Sequence, residues 1–560
     1  MPKKNTVIEV LLKFGLINQD QLKRAENETK KTGLSVERAL AKLGFMTEED
    51  IADAMARDTG IPYMDLTNYL VDPAVLKYVP ESIAKKYKIV PLFKIGDTLT
   101  CAMTNPRDIV AIDEVRMASK LPNIEPVLAT ETGIQKIVDS YYGVMGSVDD
   151  VIKQIDKEKY INVGIDAKEN ELIEIAEDAP IVKLVNLFIT QAVKDRASDI
   201  HIEPDENLLR VRYRIDGVLH EVKTSPKHLQ SAIISRIKIL AKVDIAESRK
   251  PQDGKINLRM EGKDLDLRVS TFPTVYGENV VIRILDKSNV ILGLEELGFS
   301  KDTLKIYEKL IKKPYGIILV TGPTGSGKTT TLYASLSTIN TMEKNIITIE
   351  DPVEYQIPLI RQTHIDPKKD LTFATGLRTI LRQDPDIIMV GEIRDSETAE
   401  ISIQAALTGH LVFSTLHTND STSAVTRLID MGIEPFLISS SVIGVLAQRL
   451  VRLICPRCKE NYTPSQELLN DLGIKDRVSL YKGKGCSDCK QAGYLGRIGI
   501  FELFIPDDKS KKLIISKASS DEIREIAVKE GMATLYQDGL EKVKKGLVTP
   551  EELKRVIEEM

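Results

Sequence analysis

The chain has 560 residues, 42% hydrophobic and 28% charged, with a formal net charge of −5. That length exceeds what one hydrophobic core organises, so three or four domains are expected. The acidic balance excludes a chain that coats nucleic acid over its whole surface. The most apolar run, residues 436–447, is broken by serines and too short to cross a bilayer.

The start, Met1-Pro2-Lys3-Lys4-Asn5, leads into an amphipathic segment rather than a continuous apolar one, so no signal peptide is read and a cytoplasmic location is expected. Residues 1–60 contain an internal repeat. Leu11 to Ile17 followed by Leu22 recurs as Leu40 to Met46 followed by Ile51. In each copy a short helix ends at a glycine, an apolar pair follows, and Asn18 or Thr47 caps a second helix. Residues 61–142 alternate strand-like runs (Ile89 to Phe93, Thr98 to Met103) with helical ones (Pro80 to Tyr87, Ile109 to Ala118, Glu131 to Tyr141), which predicts a small α/β domain. Cys101 lies on one of these strands and reads as a buried small residue. Residues 143–175 are polar at first, without firm periodicity, and read as a linker.

Residues 176–290 change character. A helix from Ala179 to about Arg196 is followed by strands in which apolar residues alternate with arginines, as in Leu209-Arg210-Val211-Arg212-Tyr213-Arg214-Ile215. Asp216-Gly217 makes a hairpin turn, and two further strands carry Arg268 and Arg283. Such a basic face is either salt-bridged to nearby acids or meets phosphates.

Residues 291–505 hold the chemistry. Thr321-Gly322-Pro323-Thr324-Gly325-Ser326-Gly327-Lys328-Thr329-Thr330 sits between the apolar run Gly316 to Val320 and a helix-like run, the strand, loop and helix context a P-loop requires. Backbone N–H groups of such a loop turn in around phosphate oxygens, Lys328 reaches the β- and γ-phosphates, and the Thr329 hydroxyl holds Mg²⁺. A nucleoside triphosphate is therefore expected. Beyond it, the apolar strand Ile346 to Ile349 ends in Glu350 and Asp351, and Ile387 to Val390 ends in Gly391-Glu392. Carboxylates just past parallel strands lie where such sheets collect ligands. Glu392 is expected to orient or deprotonate the attacking water, with Glu350 and Asp351 helping to hold Mg²⁺ through its water shell. His410 and His417, two of the six histidines, flank the strand Leu411 to Thr415 and are expected to sense the γ-phosphate.

Four of the five cysteines form two pairs, Cys455-Pro456-Arg457-Cys458 and Cys486-Ser487-Asp488-Cys489. Four thiolates close a tetrahedral Zn²⁺ site with no open position, so the metal is structural, with disulfides as the competing reading. Residues 506–560 add amphipathic helices that read as packing or partner-docking elements.

The P-loop, the run Ile347 to Tyr355, the atypical Walker B strand ending at Glu392, and the histidine segment Thr408 to Asp420 occur in the order found in one family. From about Pro180 onward the chain resembles the type II secretion and type IV pilus assembly ATPases, and residues 1–60 are similar, less faithfully, to their MshEN-like amino-terminal domain. That resemblance implies a RecA-like ATPase domain preceded by a smaller, PAS-like sheet domain and an amino-terminal helical and α/β regulatory region. It implies a homohexameric motor using ATP, Mg²⁺ and structural Zn²⁺. Its partners would be an inner-membrane platform protein and cytoplasmic ring proteins, with pilus extension preferred over secretion. By the same resemblance Arg214, Arg268 and Arg283 look like interdomain or intersubunit arginines that contact nucleotide. Some family members bind cyclic di-GMP through repeats that open with Arg-Leu-Gly and close with Gln; here the matching positions are Thr6-Val7-Ile8 and Ser35-Val36-Glu37, closing on Thr29 and Asp58. The competing readings are a nucleic-acid motor, opposed by the lack of interleaved aromatic and basic residues, and a scaffold that binds nucleotide without turnover.

Overall fold

The second helix of each amino-terminal repeat starts on a side chain that accepts the helix's own free backbone donors. Asn18 with Gln21 and Thr47 with Asp50 form reciprocal caps for the helices Gln19–Thr32 and Glu48–Thr59, in a computed structural model that describes residues 6–33, 35–142, 151–152, 155, 169–286, 292–474 and 478–558. The first helices, Thr6–Lys13 and Val36–Lys42, are followed by left-handed Gly15 and Gly44. Leu11, Ile17, Leu40 and Ile51 close the core of the module. Ser35 caps the helix Val36–Lys42, and Asp58 accepts from Lys13 Nζ at 2.8 Å and Arg107 Nη2 at 3.3 Å, so both are engaged within the protein.

The chain divides into two compact units, residues 1–288 and 289–560. In the first, β1 (Tyr69–Leu70) precedes a three-stranded sheet of β2 (Ile89–Ile95), β3 (Thr98–Met103) and β4 (Asn123–Leu128). The helices Glu81–Tyr87, Ile109–Ser119 and Glu131–Tyr141 stand where periodicity places them. β4 is absent from the sequence reading because Asn123, Glu125 and Pro126 mask its alternation. Cys101 is fully buried on β3, and burial pushes its thiol up.

Next come β5 (Ala197–Pro204), β6 (Leu208–Ile215), β7 (Val218–Pro226), β8 (Gln252–Met260), β9 (Lys263–Thr274) and β10 (Gly277–Asp286). They form one sheet in the order β1-β8-β9-β10-β5-β6-β7, in which β1 from the preceding small domain pairs in parallel with β8, Tyr69 opposite Arg259. One sheet face packs Val211, Leu267 and Ile282 on Leu184 and Phe188 of the helix Ala179–Lys194 and on Ile233 and Ile237 of the helix Gln230–Ala241. The β6–β7 hairpin turns on Asp216 (φ 48°) and Gly217 (φ 87°), a two-residue turn with both residues left-handed. Most of the expected linker, residues 143–175, lies outside the described residues.

The second unit is built on β11 (Gly316–Thr321), β12 (Ile346–Glu350), β13 (Arg361–His364), β14 (Ile387–Val390), β15 (Leu411–Leu416), β16 (Val442–Ile454) and, after a β17 (Lys459–Tyr462) and β18 (Leu480–Gly483) hairpin, β19 (Tyr494–Phe504). The sheet order is β13-β12-β14-β15-β11-β16-β19, parallel except for the β16–β19 pair. Both faces are covered, which explains why β11 reads as an unbroken apolar run. Ile317 and Leu319 enter the core with Leu377, Ile403 and Ile438, whereas Ile318 and Val320 enter the core with Tyr333, Leu336 and Tyr307.

The carboxyl-terminal helices dock through buried carboxylates. Glu552, with no exposed side-chain surface, accepts from Arg452 N at 3.0 Å, Nε at 3.0 Å and Nη2 at 2.7 Å, and from Arg555 Nη2 at 2.8 Å. These donors hold its carboxyl below the usual range against the opposing effect of burial. Glu552→Ala is therefore expected to destabilise the second unit by about 3 kcal/mol, measured by urea unfolding, because it leaves Arg452 half-buried and unpaired. Glu552's contribution is full above the unfolded carboxyl pKa of about 4.3 and is lost as pH falls through its lowered folded value, so the variant's deficit should shrink in acid.

Candidate functional site

The loop between β11 and the helix Lys328–Ile339 is shaped by a residue from the neighbouring strand. Gln448, buried on β16, donates through Nε2 to Ser326 O at 2.6 Å and accepts from Thr331 Oγ1 at 2.7 Å. A Cβ on Gly322 would lie 2.5 Å from Gln448 O, and one on Gly327 would lie 2.8 Å from Gln448 Nε2. Both residues are also left-handed, with φ of 150° and 88°, so glycine is required twice over. Gln448 went unread in the sequence; its signal is the polar pair Gln448-Arg449 inside an otherwise apolar strand.

Lys328 Nζ donates to Gly322 O at 2.8 Å and Pro323 O at 3.0 Å. Burial lowers its pKa to about 8, Arg449 adds to the fall and Glu392 opposes it. Thr329 is exposed on the first turn of the helix, beside the exposed rim of Pro323, Thr324 and Gly325.

The carboxyl ends of β12, β14 and β15 meet at the same edge as the P-loop. Glu392 pairs with Arg394 Nη2 at 2.5 Å and lies 3.5 Å from His417 Nε2, while Arg394 reaches Asp351 at 3.7 Å. The imidazole of His417 is held below its usual pKa by burial and by the charge of Lys328, against Glu392. Arg394 was not singled out in the sequence, although its place two residues after Glu392 marks it. Glu350 is enclosed: it accepts from the Tyr333 hydroxyl, from Thr348 Oγ1 at 2.5 Å and from Gln362 Nε2 at 3.3 Å, and burial raises its pKa.

His410 does not join this cluster, contrary to the sequence expectation. It precedes β15, its carbonyl accepts from Gly316 N at the start of β11, and its Nδ1 lies 2.9 Å from Ala405 O. Thr321 and the P-loop are at the other end of these strands, five residues on from Gly316 along β11, or about 17 Å. Flanking one strand in sequence puts the two histidines on opposite edges of the sheet.

In the first unit, Arg268 on β9, Arg283 on β10, Asp199 on β5 and Arg214 on β6 occupy one register row. Asp199 pairs with Arg283 Nε at 3.1 Å and Arg214 Nε at 3.8 Å. Arg210 and Arg212 are matched instead by Asp205, Glu221 and Glu203. Asp199 is thus shared between two arginines of its row.

The cysteine pairs converge around the β17–β18 hairpin. Sγ separations are 3.8 Å for Cys455–Cys486, 3.8 Å for Cys458–Cys489 and 3.6 Å for Cys486–Cys489. A tetrahedron of 2.3 Å Zn–S bonds requires about 3.8 Å, and a disulfide requires about 2.05 Å. Cys489 Sγ also accepts from Cys486 N and Gly493 N at 3.1 and 3.3 Å. The donor set fits a closed, structural zinc.

A family model described as "Type II/IV secretion system protein" matches residues 174–555, and one described as "MshEN domain" matches residues 59–148. The type IV pilus assembly ATPase PilB of Myxococcus xanthus is 46% identical over 556 residues, covering 97% of each chain. The type II secretion system protein E of Xanthomonas campestris pv. campestris is 43% identical over 566 residues, covering 99% of this chain and 98% of its own. The X-ray structure of the Yersinia pseudotuberculosis ATPase DotB covers 67% of this chain and 92% of its own with a TM-score of 0.52 at 21% identity, a likeness of fold.

Two outcomes are expected of these sites. Phosphate favours the protonated amine, so nucleotide affinity should fall as pH rises through about 8, by at most tenfold per unit, in a fluorescent-ATP titration; a flat profile contradicts this reading of Lys328. Atomic emission should find one zinc per chain, and Cys458→Ser should abolish it and lower the melting temperature, as prolonged chelation should in the wild type.

Proposed function

This chain belongs to the type II/IV secretion system protein family, and from that membership we propose that it is an ATP-hydrolysing motor that drives type IV pilus assembly. The observation that carries the reading is the convergence of Lys328, Glu392, Arg394 and His417 on one edge of a parallel sheet. The strand order β16-β11-β15-β14-β12 supports a RecA-like core, and the arginine-bearing sheet takes the part of the smaller PAS-like domain.

In this reading the backbone from Gly322 to Thr330 cradles the triphosphate and Lys328 leaves the Gly322 carbonyl for the β- and γ-phosphate oxygens. Mg²⁺, when bound, offsets charge on those oxygens. Thr329 would hold it directly, with Asp351 and Glu392 acting through its water shell; Glu350, enclosed by Tyr333, Thr348 and Gln362, is spent on that contact instead. Glu392 orients the attacking water and takes its proton, and Arg394 holds that carboxylate in place. His417 reads the γ-phosphate through its contact with Glu392. Arg214, Arg268 and Arg283 form the cationic row of the first unit. Six copies form a ring, and hydrolysis passes around it. The motor works at the cytoplasmic face of the inner membrane with a platform protein and cytoplasmic ring proteins. The amino-terminal repeat acts as a docking module, since Ser35 and Asp58 are spent on a helix cap and ion pairs where cyclic di-GMP would need them. A type II secretion ATPase is the second reading, favoured by relatives that carry that name.

The test is steady-state Mg²⁺-ATP hydrolysis by the zinc-loaded chain beside Glu392→Gln, with light scattering on both. An oligomeric wild type that turns over, and a variant that assembles and binds ATP with turnover lowered at least about a hundredfold, are expected. Equal binding with no turnover in either assembled protein would instead leave a nucleotide-binding scaffold.

A further inference from the structure

The loop that follows β15 is anchored at four consecutive residues. Thr418 N donates to Thr321 Oγ1 at 2.9 Å, the two hydroxyls lie 2.7 Å apart, and Thr418 Oγ1 donates to Asp420 O at 3.0 Å. Asn419 Oδ1 accepts from Arg449 Nη2 at 3.2 Å. Asp420 accepts from Ser423 N at 2.8 Å and Ser423 Oγ at 2.7 Å, which sets the start of the helix Ser423–Asp430. Ser421 donates through N at 3.0 Å and Oγ at 2.6 Å to Glu502, a fully buried carboxylate on β19 whose other oxygen accepts from Leu535 N at 3.3 Å. His417, the residue before this bracket, faces Glu392.

The anchor at Thr418 leads straight to the residue that precedes the phosphate loop. Thr321 is fully buried, ends β11 and is the residue immediately before Gly322. Its hydroxyl also lies 3.0 Å from Leu416 O and 3.1 Å from Thr418 O, so it stitches the end of β11 to both sides of His417. The remaining anchors lead to β16 and β19 and hold the far end of the bracket still. Residue 418 is thus the point at which the end of β11 meets the loop that carries His417.

We propose that Thr418 is a positioning residue for ATP hydrolysis, clipping the His417 loop to Thr321 so that the occupancy of the P-loop sets where His417 stands against Glu392. The proposal rests on the ATPase reading above and adds to it the element that carries the signal. Thr418 acts through His417.

Valine keeps the shape of threonine and removes only the hydroxyl. In the full-length, zinc-loaded chain, Thr418→Val is expected to lower kcat about tenfold with KM and the Kd for a fluorescent ATP analogue within about threefold, and Thr418→Ser is expected to restore turnover. His417→Asn should lower kcat as well, and the double variant should fall no further than His417→Asn alone, because both changes interrupt one path. A Thr418→Val loss that multiplies in full with the His417→Asn loss would overturn the proposal, as would a loss expressed only in nucleotide affinity. Wild-type turnover is recorded in the same assay. Its absence would sink the ATPase reading itself, whereas normal turnover in both Thr418→Val and Thr321→Val, the second of which also removes the acceptor of Thr418 N, would sink the clip alone.

Discussion

Parallel pairing is the constraint on which the second unit depends. β11 pairs with β15 on one side and β16 on the other, and β14 and β12 continue the same direction, so every strand in this stretch ends at one edge. Hydrogen-bond register then decides which residues can meet. Thr321 lies opposite Leu416, and Val390 opposite Ser414, which brings the P-loop, Glu392 and His417 together from segments almost one hundred residues apart. The same register sends His410 to the opposite edge. A sheet of this kind has to bury both faces, and the two cores on either side of β11 are what keep its loops from shifting relative to one another.

Electrostatics at that edge follows from burial with incomplete pairing. Among the described residues Lys328 has carbonyl partners and no carboxylate at contact distance, and desolvation lowers its pKa; Glu350 accepts from hydroxyl and amide donors, and desolvation raises its own. Two carboxylates one strand apart thereby acquire different surroundings, one enclosed beneath the second turn of the P-loop helix and one ion-paired with Arg394. That division suits Glu392 to proton abstraction and Glu350 to holding Tyr333 and the loop after β12 in place.

The carboxyl-terminal helices are part of the same device. Sequence patterning marks them as amphipathic and silent in chemistry, yet Glu502 joins the helix Leu535–Lys544 to Ser421, and Glu552 joins the helix Pro550–Glu558 to β16. The cysteine cluster closes the excursion between β16 and β19, the one antiparallel pair in the sheet. These features convert a loop-bearing edge into a rigid frame, leaving the link from Thr321 to Thr418 as the path by which the phosphate loop reaches His417.

What could be read from the sequence was whatever depends on local pattern. The repeat with its caps at Asn18 and Thr47, the small-domain helices, the Asp216-Gly217 hairpin, the P-loop and the cysteine pairs each carry their physical cause within a few neighbouring residues. β4 escaped because Asn123, Glu125 and Pro126 hid its alternation, and β1 because two residues carry no period. Gln448, Thr418 and Glu502 act across gaps of about eighty to more than one hundred residues, and nothing beside them in the chain announces their partners. His410 shows the limit most clearly: proximity along a strand and proximity in space part company once a strand is about 17 Å long. The sequence alone determined which elements form and which residues carry chemistry, because propensity, capping and spacing are local. Only the tertiary structure decided which of those residues meet, because strand order and register are set by burying two faces of one sheet at once.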